Sequence, residues 1–208
     1  MNATCRHLNR PAASIMVLFL VFFAGCKEQD EEVEGAQLNK GPTYRAFEAA
    51  AIELDVPINI LMAIGYEETG WEMVTGQSER SIDPSGLSWG VMGLAEGRNL
   101  ERAASTIDAD LNEVRHDLST NVRAAAALLS VIAANTLGPD YAERAALGDW
   151  RDVVANYSGF SDPETAIEFV EMVMECVRDG AGRVLDNGEI IELQGVGDAA
   201  FEQAYGDG

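Results

Sequence analysis

Between Pro57 and Gly70 the chain runs Ile-Asn-Ile-Leu-Met-Ala-Ile-Gly-Tyr-Glu-Glu-Thr. A helix from Ile58 to about Glu68 is apolar on nearly every side and then ends in two carboxylates. Such a helix has to be surrounded by other elements. The rest of the sequence supplies them, mostly as further helices. Thr43 is placed to cap a helix through Leu54, with Tyr44, Phe47, Ala51 and Leu54 at helical spacing. Short helices are expected near 98–106, 109–117 and 140–147, and another from Asp149 to Tyr157. A long one follows Ser119 or Thr120 to Thr136, with Val122, Ala125, Ala126, Leu129 and Ile132 on one stripe. Asp162-Pro163 is a cap followed by a first-turn proline. The helix it opens runs to about Asp179, with Ile167, Val170, Val173, Met174 and Val177 inward. Val184-Leu185 and Ile190-Ile191 flank Asp186-Asn187-Gly188, a hairpin signal. The expected fold is all-α over residues 42–193 with a small C-terminal β-hairpin, followed by a loose tail over 194–208. Residues 70–97 carry Gly70, Gly76, Pro84, Gly86, Gly90, Gly93 and Gly97, and form a long shaped loop. Trp71, Met73, Trp89 and Met92 argue that it is ordered.

Residues 1–25 are expected to be an address rather than part of the fold. Arg6 and Arg10 precede an apolar stretch from Ile15 to Ala24, too short to span a bilayer, and small residues follow. Phe23-Ala24-Gly25-Cys26 resembles the bacterial lipobox, with Phe in place of the usual Leu. That resemblance implies cleavage before Cys26 and acylation of Cys26, palmitate among the chains. Several acyl chains would hold the protein on a membrane. Lys27 after the cysteine matches the enterobacterial pattern for the outer membrane, facing the periplasm. Residues 26–41, rich in acid, form a tether.

The chain has 35 Asp and Glu against 14 Lys and Arg, a formal charge of −21. The first 25 residues hold two of the arginines and no acid, which leaves 12 basic and 35 acidic residues afterwards. Such a surface repels phosphate backbones, so nucleic acid is excluded as a partner. His7 and His116 are the only histidines, and His7 lies in the leader. No HExxH, CxxC, phosphate or calcium loop is present, so neither a metal nor another cofactor is expected. Cys176 sits among apolar helix positions, as a small core residue.

Carboxylates remain as the chemistry. At about 100° per residue, Glu68 falls about 20° from the apolar direction marked by Leu61, and Glu67 about 120° away. Glu68 therefore lies on the buried face and Glu67 on the flank. A carboxyl against apolar surface favours its neutral form and can donate a proton to a leaving oxygen. The same position also suits an acid that ends its helix turned to solvent or hydrogen-bonded in the core. Trp71 is equally a core aromatic or a sugar-stacking platform.

In these residues the chain resembles the lysozyme-like domain of soluble lytic transglycosylases. The shared order is Glu68-Thr69, Gly90-Val91-Met92-Gly93-Leu94, Asn121-Val122 ahead of Ala124 to Leu129, and Ala155-Asn156-Tyr157-Ser158-Gly159. It is closer still to the lysozyme-like region ahead of the catalytic domain in some bacterial N-acetylmuramoyl-L-alanine amidases. The similarity covers about residues 43–180. It implies a lysozyme-like fold and cleavage of peptidoglycan glycan strands between N-acetylmuramic acid and N-acetylglucosamine. Glu68 would act as the single acid and then base, the muramic 6-hydroxyl giving a 1,6-anhydro product. Thr69, Trp71, Gly90, Met92 and Tyr157 would bind substrate. Gly93 replaces the family's Gln, Ser158 its Asn and Thr69 its Ser. Lysozyme-type hydrolysis would want a second carboxylate, with Glu79 and Asp83 available in the loop. The alternatives are an inactive peptidoglycan-binding lipoprotein and an envelope scaffold whose acidic surface meets a basic partner. Peptidoglycan is itself anionic, so the charge gives no steering toward it.

Overall fold

Residues 40–76, 78–82 and 87–197 are described by the computed structural model of the protein. The expected leader, Cys26, the expected tether up to residue 39 and residues 198–208 of the expected tail lie outside these. In chain order the helices are α1 (Pro42–Leu54), α2 (Ile58–Thr69), α3 (Leu100–Thr106), α4 (Leu111–His116), α5 (Leu118–Thr136), α6 (Tyr141–Arg144), α7 (Arg151–Ser158) and α8 (Pro163–Asp179). A 3₁₀ turn, Leu147–Trp150, leads into α7. The domain is mainly helical, with a two-stranded antiparallel sheet near its C-terminus, β4 (Gly180–Val184) and β5 (Ile190–Gln194). No helix among the described residues is long and apolar enough to cross a membrane.

The apolar stripe of α5 makes this helix the floor of the core. Small residues Ala124 to Ala127 and Ala133 let α1, α3, α4 and α7 lie close against it, and Val122, Leu129 and Ile132 fill between them. Asp117, not Ser119 or Thr120, caps α5, accepting from the Thr120 N–H at 2.8 Å. Asp162 caps α8 as expected, at 2.9 Å from the Thr165 N–H, with Pro163 in the first turn. Ile167 does not face inward: it is 62% exposed, while Phe169 is buried in its stead. It lies in the first turns of α8, on a side of the helix left open to solvent.

The glycine-rich segment after α2 holds a three-stranded antiparallel sheet rather than loop alone. Its strands are β1 (Val74–Gly76), β2 (Ser88–Gly90) and β3 (Leu94–Ala95), with β2 in the middle. The tight turn between β2 and β3 closes through Gly93 N–H to the Gly90 carbonyl at 3.3 Å.

Thr43 is not a cap. Pro42 opens α1 behind Gly41, and the Glu189 carboxylate from the hairpin accepts the Thr43 and Tyr44 N–H groups at 3.1–3.2 Å. A Cβ at Gly41 would sit 2.2 Å from the Glu189 carboxyl carbon, so any larger residue there would push the carboxylate out of this approach. The folded domain thus begins by residue 40, where Lys40 pairs with Glu48 at 2.5 Å.

Candidate functional site

The apolar run of α2 buries Ile60 to Gly65 against α1 and α8 and carries Glu68 inward with them. Glu68 is 1% exposed. Glu67 lies on the flank, as the helical angle requires, facing Arg80 at 3.6 Å. Burial, ahead of every other cause, raises the Glu67 pKa. The same burial pushes the neighbouring Cys176 thiol up to about 12, and Cys176 is a core residue.

Several residues secure the end of α2. Gly70, at φ +62°, returns its N–H to the Gly65 and Tyr66 carbonyls and closes the helix. Trp71 follows at φ +64° and turns back under the helix. Its indole N–H donates to the Met62 carbonyl at 2.8 Å, and its ring meets Tyr66 at 4.8 Å. Trp71 is a core residue at 1% exposure, not a sugar platform, because the turn at Gly70 directs it into the domain. The Thr69 hydroxyl bonds the Val91 carbonyl at 2.6 Å and the Gly65 carbonyl at 3.0 Å. It fastens α2 to the β2–β3 turn. From the flank, Ser78 donates to the Glu68 carbonyl at 2.5 Å and Arg80 to the Tyr66 carbonyl at 2.7 Å.

Asn121, in the first turn of α5, holds that turn from below. Its carbonyl oxygen accepts the Met92 N–H at 2.9 Å, and its amide donates to the Val114 carbonyl at 2.9 Å and the Trp89 carbonyl at 3.1 Å. Gly90 leaves the room: a Cβ there would come 2.1 Å from the Asn121 amide nitrogen. Thr69, Gly90 and Met92 are therefore buried frame, and the surface that a polymer would touch is not theirs.

The turn places Gly93, at φ +57°, directly on Glu68. A Cβ at 93 would lie 2.6 Å from the Glu68 Cβ and 3.1 Å from its Oε2. The main chain here occupies the space that any side chain at 93 would need.

Two groups complete the surroundings. The Arg98 Nη2 donates to the Glu68 Oε1 at 3.2 Å, and the Arg98 side chain is only 9% exposed. Tyr157, on α7, is fully buried, and its hydroxyl has no hydrogen-bond partner among the described residues. Burial first, and then the charge of Glu68, push the tyrosine pKa far above its usual range, so the phenol stays neutral. Asn99 accepts the Ala95 N–H at 2.9 Å and donates to the Tyr157 carbonyl at 3.4 Å, linking the strand side to α7. Ser158 uses its hydroxyl on the Ala155 carbonyl at 2.7 Å and accepts the Phe160 N–H at 3.3 Å. It shapes the turn after α7.

The structure sets Thr69, Gly90, Met92 and Asn121 as the frame around the end of α2, and adds beside Glu68 a residue that the sequence reading did not single out, Arg98. Its signal was scarcity: it is one of a dozen basic residues after position 25, and it stands five positions after Gly93. His116 lies elsewhere, edge-on to Trp89 at 5.6 Å. Glu79 is exposed, and Asp83 is outside the described residues. Among the described residues no group of three His, Cys, Asp or Glu side chains could hold a metal ion. No family model and no curated protein matches the chain. The arrangement offers proton transfer by one carboxyl between a guanidinium and a phenol.

Proposed function

We propose that this is a lytic-transglycosylase-like protein of lysozyme-like fold that cleaves the bond between N-acetylmuramic acid and N-acetylglucosamine in peptidoglycan. It works at the cell envelope, lipid-anchored through Cys26 to the outer membrane and facing the periplasm. Glu68 protonates the glycosidic oxygen. The resulting carboxylate then takes the proton of the muramic 6-hydroxyl as that oxygen closes on the anomeric carbon, so that no second carboxylate is required. The observation that carries the reading is the inward Glu68 carboxyl, pressed against the Gly93 backbone, with a buried Tyr157 hydroxyl that has no hydrogen-bond partner among the described residues. A buried polar group asks for an explanation, and a hydroxyl that orients the acid supplies one.

The test is mass spectrometry of purified sacculi digested with the protein. Anhydromuropeptides from the unaltered chain, and none from Glu68→Gln, are expected. Equal release by both ends the proposal. Reducing ends would mean hydrolysis instead. A second reading, binding without turnover, has one observation in its favour: Arg98 already engages the acid. It predicts sedimentation with sacculi and no product.

A further inference from the structure

We infer that Arg98 is a positioning residue that holds Glu68 as a carboxylate in the free protein. Glu68 then takes up the proton it donates only after a bound strand has drawn guanidinium and carboxyl apart. The use made of that proton rests on the function proposed above; the ion pair itself does not.

The support is geometric. The pair is 3.2 Å apart, with side-chain exposures of 9% and 1%. A guanidinium keeps its charge at any working pH. Burial alone favours a neutral acid, but an opposite charge within about 4 Å favours the ionised one. A neutral Glu68 would forfeit that attraction in a place that water scarcely reaches, which is the costlier arrangement. Among the described residues, the other charged or titratable groups near Glu68 do not replace Arg98. Tyr157, on α7, is neutral. Glu67, adjacent on α2, is turned to Arg80. Arg102, on α3, donates to the Asn156 carbonyl at 3.1 Å and its side-chain oxygen at 3.3 Å.

Arg98 also has a second resting face. Its guanidinium lies 4.2 Å from the centre of the Phe160 ring, and Phe160 stands edge-on to Phe169 at 5.8 Å. Gly159, at φ +69°, brings the turn after α7 against the Arg98 backbone, where a Cβ would fall 3.1 Å away. A cation that already rests on an aromatic face can release a carboxyl without becoming bare. The backbone is held while the guanidinium has a place to go.

The experiment is carbon-13 NMR of the full chain labelled at the glutamate carboxyls, with the Glu68 signal identified by its loss in Glu68→Gln. The Glu68 carboxyl of the unaltered protein is expected to be ionised at about pH 6, above the ordinary carboxylate range. In Arg98→Gln its midpoint rises by about one pH unit or more, a tenfold change in the protonated fraction. Arg98→Lys, which keeps the charge, leaves it ionised. An unaltered protein already protonated at about pH 6 overturns the inference with no variant needed, as does an unmoved midpoint in Arg98→Gln. The expected shift without sacculus cleavage by the unaltered protein would uphold Arg98 and sink the function proposed for Glu68.

Discussion

Two carboxylates are drawn into this domain, one at each end of the α1–α2 pair, and they are received differently. Glu189 comes from the hairpin to the start of α1 and meets main-chain N–H groups. Glu68 comes from the end of α2 and meets a side chain, Arg98. Main-chain donors belong to a helix and cannot leave without unwinding it. A guanidinium on a flexible stem can. Each site also has a glycine where a side chain would collide, Gly41 against Glu189 and Gly93 against Glu68. The first arrangement suits a fixture, the second a group whose charge has to change during work.

Breaking the second site should have the larger functional effect. Glu68→Gln is expected to lower anhydromuropeptide release by about 10²- to 10⁴-fold, the range of a general acid, whereas Glu189→Gln leaves the rate near normal; digests of the same sacculi compare them. Gly93→Ala combines a collision at 2.6 Å with a left-handed backbone. It should cost about 3 kcal/mol of unfolding free energy in urea, and an unchanged midpoint would show that the turn does not press on Glu68 as described.

Glu189→Gln sharpens the other half of the contrast. The charge leaves the α1 cap while the shape remains, and a loss of about 1 kcal/mol is expected in thermal unfolding. Asp117→Ala serves as a control at a surface cap, with a similar or smaller loss. Hydrogen bonds from the Thr120 N–H and hydroxyl hold the Asp117 carboxyl below its usual 3.8. Its contribution is therefore complete above that value and disappears as the pH falls through the lower folded one. The difference in stability between the parent and Asp117→Ala should vanish in acid and be flat near neutrality.

Much of this was legible in the sequence where a local rule was at work. Asp162-Pro163 gave the start of α8, Asp186-Asn187-Gly188 the hairpin, and the helical angle from Leu61 put Glu68 inside and Glu67 on the flank. What escaped depended on distant partners. Thr43 looks like a cap, but the cap is Glu189, 146 residues away. Strands of two or three residues, as in β1 to β3, are too short to show a period of two. Ile167 fits the stripe of α8, yet a stripe does not say where the neighbouring helices stop. In the site, the carboxyl was legible through its own helix, while Arg98 is brought to it across a turn whose path is set by Gly90, Gly93 and Asn121 together. Trp71 was ambiguous because an aromatic after a glycine turn can point either way, and φ at Trp71 decides it.

The Glu189 clasp also has a mechanical side. It joins the first turn of α1 to a hairpin near the far end of the described chain. Tension applied at residue 40 would therefore pass at once into β4 and β5 instead of peeling α1 away from its own start. The domain would resist being unravelled from that side until the carboxylate let go.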